Sequence, residues 1–115
     1  MFRKLVVVGL LCAAMGARAG FFSGNELVKD MREWEKHERK DLSASSLVAG
    51  NFMGYVAGVA DVYDELSVCL PESATVRQMS TIVARFLNEN PARLAEPADV
   101  LVADALKKAF PCNKK

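Results

Sequence analysis

The chain has 115 residues, 51% of them hydrophobic, which suffices for one small domain around a single buried core. Fifteen basic residues against 14 acidic ones give a formal charge of +1, so the basic face that nucleic-acid binders carry is not expected. A single histidine, His37, leaves little room for Cys/His catalysis.

The opening stretch MFRKLVVVGLLCAAMGARAG places Arg3 and Lys4 before an apolar run from Leu5 to Met15, then Ala17-Arg18-Ala19. This is the layout of a secretory signal peptide with an A-x-A cleavage site. The run is shorter than the roughly 20 residues that span a bilayer, so no stable membrane insertion is expected after cleavage. Bulky Leu11 before Cys12 argues against lipidation. We therefore divide the chain into a cleaved leader, residues 1–19, and a mature domain, residues 20–115. Loss of Arg3, Lys4 and Arg18 leaves 12 basic against 14 acidic residues, a net charge of −2. It also leaves two cysteines, Cys69 and Cys112, and an even pair in an exported domain reads as one disulfide. For that loop length the chain-entropy account gives about 4 kcal/mol of stabilisation.

Four helical segments and no strand follow. The first, about Asn25 to Lys40, spaces Leu27, Met31 and Trp34 on one face. Its mixed charges, such as Glu35 and Arg39 one turn apart, read as a solvated face. The second, about Ser43 to Leu66, has Val48, Phe52, Tyr55, Val59, Val62 and Leu66 as its apolar face. Gly50, Gly54 and Gly58 form a separate stripe. Each helical glycine costs about 1 kcal/mol relative to alanine, so the stripe predicts a close contact with another helix of this chain or of a second copy. A membrane contact fits less well, because Asn51, Asp61, Asp64 and Glu65 interrupt the apolar surface.

Pro71 stops the second segment, and Thr75 with Gln78 forms a T-x-x-Q capping box for the third helix. That helix turns Met79, Ile82, Val83, Phe86 and Leu87 inward and stops at NENP. A short connection or a single helical turn, ARLAEP, leads to Pro97 in the first turn of a fourth helix bearing Leu101, Val102, Ala105, Leu106 and Phe110. The expected fold is all-α, a small four-to-five-helix bundle tied by one disulfide.

No catalytic group emerges. Both mature cysteines are expected to be oxidised, and Asp61, Asp64 and Glu65 lack the spacing and glycine of a calcium loop. Neither a metal nor a cofactor is expected, and the chain does not read as an enzyme.

The order and spacing of several stretches carry more than composition does. GNEL near the mature start, the helix GYVAGVAD, CLP followed by the T-x-x-Q helix start, FLNENP and the terminal ALKKAFPC together resemble the type VI secretion amidase immunity proteins, the Rap/Tai immunity domain. The resemblance covers about residues 24 to 112. It implies an exported, disulfide-tied helical protein of the periplasm that binds a papain-like peptidoglycan amidase effector and occludes its active site. It also implies a homodimer, for which the glycine stripe offers a contact. Relatives carry a second cysteine pair in the first helix and just before GY of the second; here Met31 and Phe52 occupy those neighbourhoods, and apolar packing is expected instead.

The resemblance does not transfer the toxin contacts. Polar side chains on rigid loops are the candidates: Asp61, Asp64, Glu65, Glu72 and Ser73 around one turn, and the loop from Asn88, Glu89 and Asn90 to Glu96. The alternative from another class is a periplasmic acid-stress chaperone or an envelope adaptor. A chaperone would bind many unfolded clients after acidification, whereas an immunity protein binds one folded partner at neutral pH.

Overall fold

A computed structural model describes residues 22–113. The leader assigned to residues 1–19 lies outside the described residues.

Helix α1, Gly24–Glu38, starts at a capping box absent from our sequence reading. The Ser23 hydroxyl accepts from the Glu26 amide at 3.3 Å, and the Glu26 carboxylate accepts from the Ser23 amide at 3.2 Å. Leu27, Met31 and Trp34 are buried as their spacing predicts. The helix closes in a Schellman turn: the Lys40 amide donates to His37 O and the Asp41 amide to Lys36 O, both at 3.0 Å. The residue that turns the chain is Lys40, at φ 61°, where glycine is the usual occupant. Lys40→Gly is expected to stabilise the fold by up to about 1 kcal/mol, read as a melting point a few degrees higher; a lower one would show that Lys40 is not strained.

Helix α2, Ser46–Tyr63, is capped by Ser45, whose hydroxyl accepts from the Val48 amide. Its buried face is Ala49, Phe52, Val56, Val59 and Ala60. Two expectations fail here. Val62 and Leu66 are 65% and 76% exposed, and the helix stops before Leu66. Asp64 becomes extended, Glu65 takes φ 65°, and the amides of Leu66, Ser67 and Val68 all turn back to the Tyr63 carbonyl. Fully buried Val68 is thereby drawn into the core in place of Leu66.

Helix α3, Val76–Glu89, starts at the expected Thr75/Gln78 capping box and buries Met79, Ser80, Val83, Ala84 and Leu87, with Ile82 and Phe86 half-buried. A 3-10 turn, Pro91–Arg93, leads to α4, Ala98–Ala109, which buries Leu101, Val102, Ala105 and Leu106. Among the described residues there is no strand, only isolated bridges. Over the described residues the fold is an all-α bundle of four helices, with one core to which each contributes. Met31 and Phe52 are both fully buried in it, so apolar packing fills both neighbourhoods as expected. Trp34 Nε1 and Ser80 Oγ are buried without a partner among the described residues, at a cost of about 1–3 kcal/mol each.

Two ties close the bundle. The Gly24 amide donates to Glu96 O at 2.9 Å, the Asn25 amide to Leu94 O at 2.8 Å and the Ala98 amide to Phe22 O at 2.8 Å, fastening the start of α1 to the α3–α4 connection. Cys69 and Cys112 form the expected disulfide, with their Cα atoms 5.0 Å apart. Beside it the Cys69 amide donates to Phe110 O at 2.9 Å.

Candidate functional site

His37 is exposed, both described cysteines are oxidised, and the described residues hold no cluster of three or more His, Cys, Asp or Glu side chains fit for a metal. Among the described residues no helix is long and apolar enough to cross a membrane.

The acidic candidates separate by role. Asp64 accepts from the Leu70 amide at 3.0 Å and so shapes the turn that ends α2. Asp61, Glu65, Glu72 and Ser73 are exposed. Ser73 borders a depression of about 420 Å³ walled by Pro71, Ala74, Ile82 and Phe110. The disulfide holds both walls, since Pro71 follows Cys69 closely and Phe110 closely precedes Cys112.

The second candidate stretch is not all loop, since Asn88 and Glu89 are the last two residues of α3, and it is braced by α1 and by its own side chains. Asn88 accepts from Arg32 at 2.9 Å and donates to Glu35 at 3.4 Å, while Asn90 donates to the Phe86 carbonyl at 2.8 Å. Arg93 grips Glu96 at 2.8 and 3.0 Å and Asp104 at 2.7 Å, and lies over the Phe86 ring. Of the three named side chains only Glu89 points outward without such a bond. Glu35 thus pairs with Arg32 at 2.8 Å, not with Arg39 as its spacing suggested.

The glycine stripe overturns one of its two expected partners. A side chain built at Gly50, Gly54 or Gly58 would meet nothing within 4 Å, so among the described residues no helix of this chain packs there. α2 turns its larger residues to α1, α3 and α4 and leaves the stripe outward, beside exposed Leu47 and Val62. Gly54 and Gly58, with Val59, Val62, Tyr63 and Asp99, line an open apolar groove of about 420 Å³.

The turn joining α1 to α2 is closely hydrogen-bonded. Asp41 accepts from the Ser43 amide at 2.9 Å and hydroxyl at 2.7 Å, and the Ala44 amide donates to Asp41 O at 3.1 Å. Glu33 accepts from the Ser45 amide at 2.9 Å and from Lys36 at 3.1 Å, and Glu38 pairs with Arg77 at the start of α3. From this frame Leu42 projects at 102% of its reference exposure.

These bonds depress three carboxyls. The Ser45 amide lowers Glu33, the Ser43 hydroxyl lowers Asp41 and the Arg93 guanidinium lowers Glu96, while burial alone raises Asp30. A carboxyl depressed in the folded state contributes stability above its ordinary pKa and loses it as pH falls through the folded value; Asp30 acts oppositely. With three depressed groups against one, the melting point is expected to fall as pH drops below the ordinary glutamate value of 4.5, and Glu33→Gln to flatten the decline. Melts from pH 7 to 3 showing no such slope would refute this.

The family model of the Rap1a immunity proteins matches residues 23–112, from the N-cap of α1 to the second disulfide cysteine. The chain belongs to this family. A Rap1a-type immunity role toward a type VI effector is what membership supports. No curated protein matches the chain. For a Rap1a immunity protein the features missed in the sequence are Ser23 with Glu26, legible as S-x-x-E, and Gly24 beneath them. Leu42 was passed over as well. Its signal is a lone leucine within RKDLSAS, in the polar stretch between the two helical segments.

Proposed function

We propose that this chain is the periplasmic immunity protein of a type VI secreted peptidoglycan amidase and protects its cell by occluding the amidase active site. The family match across nearly the whole described domain carries the reading. The disulfide supports an oxidising compartment, and the leader pattern ending at Ala19 supports export. Exposed Glu72 and Ser73 in the α2–α3 connection and exposed Glu89 at the last position of α3, on a frame held by the disulfide and by Arg93, are the polar groups offered to the enzyme.

The open glycine stripe is the surface we assign to a second copy. Backbones approach closely over small residues, and an isologous contact would cover Leu47 and Val62 on both chains. Gly54→Leu is expected to leave the monomer fold intact, since its side chain meets open space, and to halve the mass in solution. An unchanged solution mass would remove the stripe from the interface.

The test of function captures partners of tagged residues 20–115 from the strain's secreted and envelope fractions at neutral pH. One stoichiometric papain-like amidase, whose peptidoglycan cleavage is abolished by added protein, is the expected result. Many unfolded clients bound only after acidification would favour a chaperone, and membrane proteins alone an envelope adaptor.

A further inference from the structure

The first described residue, Phe22, stands at the rim of the groove between α2 and α4. Its carbonyl accepts from the Ala98 amide at 2.8 Å, its neighbour Ser23 bridges antiparallel to Pro97, and its ring packs on Tyr55 with centroids 5.1 Å apart. Tyr55 and Asp99, which follows Ala98 directly, are themselves walls of that groove, together with Gly54, Gly58, Val59 and Val62. Phe22 is thus fastened on two sides beside an open hollow, and one peptide unit, about 3.8 Å between Cα atoms, separates it from Phe21.

The hollow suits an aromatic ring with a cation beside it. Gly54 and Gly58 present no side chains to it, while Val59 and the 65% exposed Val62 line it with methyl groups. Asp99, in the first turn of α4, is the only charged residue of the lining and takes part in no ion pair among the described residues. The Tyr55 hydroxyl is pushed up, by burial first and then by the Asp99 charge, which places that carboxylate at the Tyr55 end of the groove.

We propose that the N-terminus made by cleavage after Ala19 docks in this groove, with the Phe21 ring seated against Val59 and Val62 and the Gly20 ammonium paired with the Asp99 carboxylate. The proposal rests on the export part of the reading above, since only cleavage puts a charged amine two residues before Phe22. Two extended residues reach about 7 Å, enough to bring that amine from Phe22 to the neighbourhood of Asp99. In the precursor the same nitrogen is an uncharged peptide amide, so the latch belongs to the processed protein alone. The groove takes this segment ahead of a second copy because Phe22 already holds it there. Only two residues remain to be ordered, whereas a copy arriving from solution meets the full cost of association. A seated Phe21 fills the hollow beside the glycine stripe and leaves Leu47 and Gly50 to the dimer contact assigned above.

The test uses the mature protein purified from the envelope of its own strain. An intact mass beginning at Gly20, and nuclear Overhauser contacts between the Phe21 ring and the methyls of Val59 and Val62, are expected. Phe21→Ala is expected to lower the melting point by a few degrees, whereas a residue in a free tail would leave it unchanged. Asp99→Asn is expected to speed acylation of the α-amine at neutral pH severalfold, a readout that loss of a favourable charge at the start of α4 would not move. Phe21 contacts seen only between differently labelled copies would give the groove to a second chain and overturn the latch. A protein that begins at Gly20 but whose Phe21→Ala variant melts like the wild type would also overturn it and would leave the export reading standing. A mass that retains the leader would overturn both.

Discussion

Replacing Cys69 and Cys112 together by serine is expected to destabilise the protein by about 4 kcal/mol and to lower its melting point by on the order of 20 °C. The bond closes a sequence separation of 43 residues, and its loss releases that loop in the unfolded chain. Little of the effect comes from lost native contacts. The Cys69 amide still reaches Phe110 O, and buried Val68 still pairs with Pro111. The check is a pair of thermal melts, of the double variant and of the wild type with and without a thiol reductant. Agreement between variant and reduced wild type, both far below the oxidised protein, is the expected pattern. A shift worth less than about 1 kcal/mol would mean that the unfolded chain is already compact around this loop.

Gly24→Ala is expected to cost about 2 kcal/mol, a fall of roughly 10 °C. A side chain there would run into Leu101, itself fully buried, and would lie 2.8 Å from the Leu94 carbonyl oxygen and 3.0 Å from the Leu94 Cα. Leu101 has a close-packed core behind it, and Leu94 O is already engaged by the Asn25 amide. The helix would otherwise welcome alanine, so a drop in stability isolates the steric term. Equal substitution at Gly54, where nothing lies within 4 Å, is the control and is expected to leave the melt of the monomer unchanged or slightly raised. Equal behaviour at both positions would show that the α3–α4 connection moves aside.

The contrast between these glycines shows which features were legible. Four helices, their order, the disulfide and the Thr75 cap follow from periodicity, cysteine parity and a local motif, all encoded within a few residues. The spacing of Gly50, Gly54 and Gly58 announced a close contact, yet they face solvent. Among the described glycines the one in close contact is Gly24, whose neighbours Leu94 and Leu101 are distant in sequence. Periodicity reports which face is small and is silent on what covers it. Val62 and Leu66 illustrate the same limit, since the turn at Asp64 and Glu65 redirects the chain and delivers Val68 to the core. At the candidate site, Glu72 and Ser73 are as exposed as a loop reading implies. Asn88 and Asn90 are bound to side chains and carbonyls of the frame, a use that polar residue type alone does not reveal. Leu42 could be noticed in the sequence, but the bonds that hold Lys40, Asp41 and Ser45 around it come from His37, Lys36 and Glu33 on the preceding helix.

Helices in small bundles ordinarily fray from their ends, and proteases enter where fraying begins. Here Phe22 is bonded to Ala98, and Cys112 is joined covalently to Cys69, so the stretch between them has no loose end. Amide exchange near Gly24 and near Phe110 should then be nearly as slow as in the middle of the bundle. A domain that opens all at once or not at all suits a docking surface that must keep its shape.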